Sequence, residues 1–217
     1  MKEKRIGILG SGVAGRTLAQ GFRQSGQDVR LGTRKPDLLL DWKHNSDADI
    51  EVVTSAEMAA WSEVVVVSVL GIAVEDALRN AGIENLAGKI VIDTSDPLDF
   101  SDGQPGLFVG TTDSLGERIQ RLLPNSFVVK ALNIVAAEVM VNPTLTSGQP
   151  DMFIAGDNDE AKEVVCHLLK QWGWSVIDMG GIRSARWLEA LSLAWVVYSH
   201  RTGATKHAFA LVRPPER

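Results

Sequence analysis

The sequence predicts a doubly wound α/β fold, a parallel sheet of the Rossmann type, followed by a small C-terminal α/β extension. Three observations predict it. Arg5 to Leu9 is a short apolar run that leads straight into Gly10, Gly12 and Gly15 at G-x-G-x-x-G spacing, and a helical pattern follows. Glu63 to Ser68, EVVVVS, is a continuous β-branched run of the kind a parallel sheet buries on both faces. No internal repeat or low-complexity segment interrupts the strand-like and helix-like stretches that fill the rest of the chain.

The first strand, Arg5 to Leu9, feeds a helix from Val13 to Ser25 whose apolar positions are Val13, Leu18, Ala19 and Phe22. Between them Gly10 permits the tight turn, Gly12 lets backbone approach a pyrophosphate, and Gly15 lets the helix pack closely on the strand. Phosphates would then sit on the amides of the helix N-terminus. The second strand, Asp28 to Leu31, runs into Gly32-Thr33-Arg34-Lys35. An acidic residue about twenty positions after the glycines would accept hydrogen bonds from the ribose 2′-hydroxyl of NAD. The hydroxyl, guanidinium and ammonium of Thr33, Arg34 and Lys35 suit a 2′-phosphate instead, so the expected cofactor is NADP. The blander reading, solvated loop charges ahead of Pro36, is the weaker one.

Pro36 to Trp42 reads as a short helix, Ile50 to Val53 as the third strand, and Ser55 as the cap of a helix from Ala56 to Trp61. The central strand Glu63 to Ser68 exits through Val69-Leu70-Gly71, where chain leaving the carboxyl edge would pass a bound nicotinamide. A helix from Val74 to Asn80, a turn at Asn85 to Gly88 and a strand from Lys89 to Ile92 follow, closed by Asp93-Thr94-Ser95-Asp96-Pro97. Ligands bind at the carboxyl ends of strands in such sheets, so the loops at Gly10, Thr33, Ser68 to Leu70 and Thr94 should meet in one crevice. Asp93 to Asp96 offer catalytic functional groups, but residues of this kind more often end a strand and form a turn.

Ser101 to Gly106 is a glycine- and aspartate-rich loop, Ser114 to Leu122 a helix, and Phe127 to Ala131 the sixth strand, whose exit Lys130-Ala131-Leu132-Asn133 also faces the crevice. Met152 to Ala155 is a further strand. Gly156-Asp157-Asn158 turns into a helix from Asp159 to Trp172 with Val165, Leu168, Leu169 and Trp172 as its stripe. Cys166 and His167 have no neighbouring ligand pair at metal spacing, so both read as packing residues and no metal site is expected. After a strand from Trp174 to Asp178, Gly180 and Gly181 open the longest helix, Ile182 to about Ser199. Its Trp187 and Trp195 read first as core or subunit-interface residues, and only second as stacking partners for a flat ring. The nucleotide-binding domain is expected to span 1–148 and the extension 149–217.

The 217 residues carry a net charge of −5 without a dense basic block, which argues against nucleic acid and anionic membrane surfaces as partners. A small-molecule electron acceptor is the expected partner. The lone Cys166 suits a reducing compartment, no leader precedes the first strand, and the longest apolar run, Val64 to Leu70, is too short to span a bilayer. The expected location is cytoplasmic.

Taken together, GILGSGVAG near the N-terminus, Gly32-Thr33-Arg34, VIDTSDP from Val91 to Pro97 and VVKALN from Val128 to Asn133 resemble the coenzyme F420-dependent NADP oxidoreductases. Asp151-Met152-Phe153, Ala155-Gly156-Asp157, Ala185-Arg186 and Leu188-Glu189 extend the resemblance over nearly the whole chain. The fold is similar also to the N-terminal reductase domain of the STEAP ferric reductases. The resemblance implies an NADP site formed by Ser11, Gly12, Val13, Ala14, Thr33, Arg34, Val69 and Leu70. It also implies a deazaflavin or flavin ring (F420, FMN or FAD) against the nicotinamide near Ala131, Leu132 and Asn133. Hydride would pass directly between two stacked rings, so positioning does most of the work and no nucleophile or metal is needed. Leu70-Gly71 departs from the archaeal members, where a proline is expected, and the Asn133-Ile134-Val135 loop is an incomplete match.

Two other classes compete. A dehydrogenase of a small carbonyl or imine would need a proton donor, yet Tyr198 is the only tyrosine and Thr202 stands where a Tyr-x-x-x-Lys pair needs lysine. Lys130 and Asn133 have a K-x-x-N spacing and are the candidate catalytic residues. Their place at a strand exit suits a structural or cofactor-contacting role better. A non-catalytic NADPH sensor would bind the cofactor without consuming it, and no appended effector domain supports that reading. A STEAP-like membrane partner is weaker again, since no transmembrane segment follows. The expectation is an NADP-dependent oxidoreductase, homodimeric through its long C-terminal helix.

Overall fold

A computed structural model describes residues 3–39, 42, 50–145 and 148–212. Its centre is an eight-stranded sheet in the order β10-β9-β8-β5-β4-β1-β2-β3. The strands are β1 (Arg5–Leu9), β2 (Asp28–Thr33), β3 (Glu51–Thr54), β4 (Val64–Val67), β5 (Ile90–Asp93), β8 (Phe127–Lys130), β9 (Asp151–Gly156) and β10 (Ser175–Asp178). β6 (Leu98–Asp99) and β7 (Gly106–Leu107) form a separate hairpin. Every pair in the large sheet is parallel except β8 with β9, so the sheet is mixed where the sequence suggested a purely parallel one. The C-terminal strands continue this same sheet through that antiparallel pair.

Helices cover both faces: α1 (Val13–Gln24), α2 (Ser55–Trp61), α3 (Val74–Ala81), α4 (Ile83–Leu86), α5 (Leu115–Leu122), α6 (Ala137–Val141), α7 (Asp159–Gln171) and α8 (Ala185–Thr202). β4 shows why both faces must be covered. Val64 and Val66 enter one apolar cluster with Leu18, Phe22, Val165 and Leu188, while Val65 and Val67 enter the other with Met58, Leu78, Leu115 and Ile119. Each of the four valines is at most 1% exposed, and burying a side chain of this size contributes about 1.5 to 3 kcal/mol.

Several elements differ from the sequence reading, each for a local reason. Val13 is 70% exposed because it stands at the first turn of α1 facing the carboxyl edge, so the buried face is Gly15, Leu18, Ala19, Gly21 and Phe22. Thr54, and not Ser55, caps α2: its hydroxyl accepts from Glu57 N at 3.3 Å while the Glu57 carboxylate accepts from Thr54 N at 2.9 Å. That reciprocal box needs Glu or Gln three residues on, which Thr54 has and Ser55 lacks. Of the helix expected at 36–42, Pro36–Leu39 is a 3-10 turn, and positions 40 and 41 lie outside the described residues. The short helix α4 runs into the turn expected at 85–88, β7 begins at the end of the loop expected at 101–106, and α6 and β6 occupy stretches given no element. The longest helix is divided into a 3-10 turn, Ile182–Ser184, and α8.

Candidate functional site

The strand order reverses between β1 and β4, and the chains leaving these two strands part there to opposite sides. Such a switch point leaves a crevice beyond the carboxyl ends. A cleft of about 750 Å³ lies there, lined on one side by Gly10 to Ala14, Gly32, Thr33 and Arg34 and on the other by Ser68 to Ala73, Thr94 to Asp96, Leu98 and Phe100, with Met140 also on the lining. The four loops named from the sequence therefore do meet in one place.

Its first wall is built for phosphate. Gly10 has φ +121°, and a Cβ there would run into the Ser68 carbonyl group, so only glycine lets β1 and β4 lie this close. A Cβ on Gly15 would strike the Gly10 carbonyl group, which fixes α1 against the turn. At Gly12, by contrast, a Cβ would meet nothing within 4 Å, because the position opens on the cleft. Gly12 is the N-cap of α1, with no side-chain cap and no acidic residue in the first turn. The first amides of this helix and its positive dipole end are thus left to an anion. At the tip of β2, Ser11 Oγ and Thr33 Oγ1 are 3.2 Å apart, and Lys35 N donates to Thr33 Oγ1 at 3.4 Å. Arg34 is exposed on the lining and makes no ion pair among the described residues. A pyrophosphate and a 2′-phosphate fit these groups.

The second wall is apolar. Leu70, Ile72 and Phe100 are 78%, 84% and 52% exposed, a concentration of large uncovered side chains around one opening. Phe100 and Leu98 come from the β6–β7 hairpin, whose tip is held by Asp99 accepting from Ser101 N at 2.9 Å and by Asp102 accepting from Gln104 N at 3.0 Å. The sequence reading named Leu70 but missed Ile72, Leu98 and Phe100. Asp102 and Gly103 in the 101–106 loop, with Asp99 just before it, were the available signal for a hairpin, but strands of two residues show no periodicity.

The residues expected to contact a second ring do not reach the cleft. Ala131 and Leu132 are fully buried beneath the sheet edge, Asn133 is nearly so, and none of the three lines the cleft. Asn133 Nδ2 donates to Asp96 Oδ1 at 2.9 Å and to the Leu188 carbonyl at 3.1 Å. Lys130 is likewise 0% exposed and cannot reach a ligand. Its ammonium lies 2.7 Å from Asp93 Oδ2 and 2.9 Å from Glu189 Oε1, and it donates to the Ser95 carbonyl at 2.7 Å. Burial alone would push this ammonium down, but Asp93, Glu189 and Asp96 outweigh burial and hold it above the ordinary lysine value. Lys130 is therefore a structural counter-ion and not a proton donor. Gly15 and Lys35 also stay off the lining, Gly15 acting through packing. Tyr198 and Trp195 pack on His207, with ring centroids 4.8 and 4.6 Å away, and Trp187 is exposed on α8 away from the cleft lining.

The Asp93 to Asp96 segment divides its labour. Asp93 accepts from Ser95 N at 2.9 Å and Ser95 Oγ at 2.5 Å, the turn-forming role favoured by the sequence. Thr94 Oγ1 donates to the Val67 carbonyl at 2.9 Å, tying β5 to β4. Asp96 alone of the acids here reaches the cleft wall, with its carboxyl turned inward to Asn133 and to Ser192 Oγ, 2.7 Å away. Burial is the largest influence on it and outweighs Lys130, Asn133 and Ser192, so the carboxyl is raised to about 7.

No helix among the described residues is long and apolar enough to cross a membrane. Among the described residues no cluster of three or more His, Cys, Asp or Glu could hold a metal ion.

Comparison with known proteins follows the same lines. Residues 5–97 match the family described as NADP oxidoreductase, coenzyme F420-dependent. A solved structure from Arthrobacter sp. FB24, provisionally named an F420-dependent NADP-reductase, superposes with TM-score 0.89 at 37% identity, covering 97% of this chain and all of that one. Metalloreductase STEAP3 of Rattus norvegicus is 33% identical over 193 residues, 87% of this chain and 36% of the relative. The chain thus spans about a third of the length of the curated relatives it matches. A reductive aminase from Aspergillus terreus, solved with NADPH, shares the fold at 16% identity and TM-score 0.65, over 93% of this chain and 63% of that one.

Proposed function

Because this chain belongs to the coenzyme F420-dependent NADP oxidoreductase family, we propose that it passes hydride between NADP(H) and a flat ring acceptor, a deazaflavin or a flavin, held on the apolar wall of its cleft. The observation that carries this reading is the pairing of two unlike walls across one opening. One offers helix amides, Thr33 and an Arg34 without an ion pair among the described residues to phosphates; the other offers Leu70, Ile72, Leu98 and Phe100 to an aromatic surface. NADPH supplies the hydride when bound. The chain's own contribution is to hold two rings face to face and to keep water out, which supplies most of the rate in a direct transfer.

The roles follow from placement. The amides after Gly12 hold the pyrophosphate, and Thr33 and Arg34, which line the cleft, select the 2′-phosphate. Ser68 to Leu70 and Thr94 position the nicotinamide end. Leu98 and Phe100 replace Ala131 to Asn133 as the surface offered to the acceptor, because the latter are enclosed. The segment 149–217 reaches this site through Glu189 and Ser192 on α8, which contact Lys130 and Asp96.

The test follows NADPH absorbance anaerobically with F420, FMN, FAD, riboflavin or no acceptor, with NADH as the control donor. NADPH consumption that depends on a ring acceptor and exceeds that of NADH is expected. NADPH binding without consumption by any of the four would refute the proposal and leave a carbonyl or imine reductase, or a sensor.

A further inference from the structure

The roles assigned so far leave one part of the cleft lining unused. Ala73, Asp76, Ala77 and Asn80 all lie on it, at positions i, i+3, i+4 and i+7. That spacing is one face of a helix, so α3 turns side chains toward the cleft along this stretch. Val74, Leu78 and Ala81 are its buried residues and hold the other face on the core.

This face stands at the β2 end of the opening. Thr33 pairs with Thr54 in the β2–β3 register, so Ser55, also on the lining, leaves its strand beside the tip that carries Arg34. Ser55 opens α2, and α2 packs against α3. In NADP a single ribose bears both the 2′-phosphate and the adenine. A 2′-phosphate at Arg34 and a pyrophosphate at the amides after Gly12 therefore send the base into the space between the tip of β2 and α3, where Ala77 leaves room for a flat ring.

Asp76 and Asn80 are exposed there, and neither side chain has a hydrogen bond or ion pair among the described residues. Arg79, the cation of α3, pairs instead with Glu75, 3.8 Å away. One turn apart, the free carboxylate and carboxamide are neighbours on the helix surface. A carboxylate only accepts, whereas a carboxamide also donates. The edge of adenine is complementary to such a pair, because its 6-amino group donates and its N7 accepts. We propose that Asp76 and Asn80 determine base specificity, Asp76 accepting from the 6-amino group of adenine and Asn80 donating to N7. Hypoxanthine has a carbonyl oxygen at position 6, which sets one acceptor against another at Asp76. An acid in the first turn of α3 also complements the helix dipole, but that role makes no distinction between bases.

This proposal rests on the NADP reading above and involves no acceptor, so binding alone tests it. Fluorescence titration gives dissociation constants for NADPH and for its analogue with hypoxanthine in place of adenine, using the wild type, Asp76→Asn and Asn80→Ala. Both ligands carry the same phosphates and the same nicotinamide, so the ratio of their affinities isolates the base. The wild type should favour NADPH by at least about tenfold. Asp76→Asn should bring the two ligands within about threefold of each other, because an asparagine can turn its amide to donate to the carbonyl oxygen. Asn80→Ala should weaken both ligands by about 2- to 12-fold, since N7 is common to them. Both side chains are exposed, so these substitutions leave the fold in place. Equal wild-type affinities, a ratio that Asp76→Asn leaves unchanged, or affinities indifferent to Asn80→Ala would overturn the proposal with the NADP site intact. A wild type that binds neither ligand would overturn the NADP reading and the proposal with it.

Discussion

Arg34→Ala tests the assignment of the 2′-phosphate site directly. Arg34 is exposed on the cleft lining and makes no ion pair among the described residues, so its removal strands no buried carboxylate. Stability should therefore stay within about 0.5 kcal/mol of the wild type. What the substitution removes is a charged hydrogen-bond donor to a phosphate, worth about 1.5 to 3 kcal/mol. At 1.4 kcal/mol per tenfold this is about 12- to 150-fold in NADPH affinity. Because the site is open to solvent, the low end applies at ordinary ionic strength, and the loss should shrink further as salt is raised. NADH has only a hydroxyl at that position and should bind within about twofold of its wild-type affinity. Fluorescence titration of both cofactors at two salt concentrations gives the four dissociation constants needed. A parallel loss for NADPH and NADH would show that Arg34 acts on the turn and not on the phosphate, and would refute the assignment.

Lys130→Met leaves Asp93, Asp96 and Glu189 without their shared cation, and breaking a buried pair of this kind typically costs about 3 to 5 kcal/mol. Urea unfolding should show that loss at pH 8 and a smaller one at pH 5, where protonation relieves the carboxylates. A loss below about 1 kcal/mol at pH 8 would contradict the structural role given to Lys130. Phe100→Ala removes an aromatic surface worth about 0.5 to 1.5 kcal/mol in ring contact, so KM for the ring acceptor should rise about 2- to 12-fold with NADPH affinity unchanged. A loss confined to NADPH would move the acceptor away from the hairpin. Asp113 is depressed to about 2, first by its hydrogen bond to Arg121 and further by Ser114 N and Arg118, against a burial effect that raises it. A depressed folded value means its stabilisation is present above about pH 4 and lost as pH falls toward 2. Asp113→Asn should therefore lower the thermal midpoint at pH 6 and converge on the wild type near pH 2, and a pH-independent difference would contradict the ion-pair origin.

The glycine turn, the loop after β2 and the buried strand were legible because their signals are local. Gly10, Gly12 and Gly15 are read from spacing within one turn, and Val64 to Val67 from a run that no surface strand would carry. Thr54 was legible in principle, since Glu57 completes its box, and was passed over for the neighbouring hydroxyl. The lining by Leu98, Phe100 and Met140 was hidden for a different reason: it depends on a hairpin of two-residue strands and a five-residue helix, too short for any periodicity. Lys130 and Asn133 were singled out as candidate catalytic residues, but both face the interior. Whether a strand exit faces a cleft or the interior depends on what lies beneath it, and here that is Glu189 and Leu188, more than fifty residues away in sequence.

The buried cluster links the late part of the chain to the early part in a way that composition could not suggest. Glu189 on α8 binds Lys130 with one oxygen and accepts from Gly116 N at 2.9 Å and Leu115 N at 3.0 Å, so it caps α5 as it neutralises the ammonium. Two turns of the chemistry are thereby fixed at once: α5 is held against α8, and Asp96 is held between Lys130, Asn133 and Ser192. Such an arrangement is not the most stable one available. Raising an aspartate from its ordinary value of 3.8 to about 7 destabilises the folded state by roughly 4 kcal/mol at pH above 7 and by nothing below about pH 4, since the folded form binds the extra proton only between those limits. An asparagine at position 96 would keep both hydrogen bonds and avoid that loss. Asp96→Asn should therefore raise the thermal midpoint at pH 8 and leave it unchanged near pH 4, and equal midpoints at pH 8 would refute the raised carboxyl.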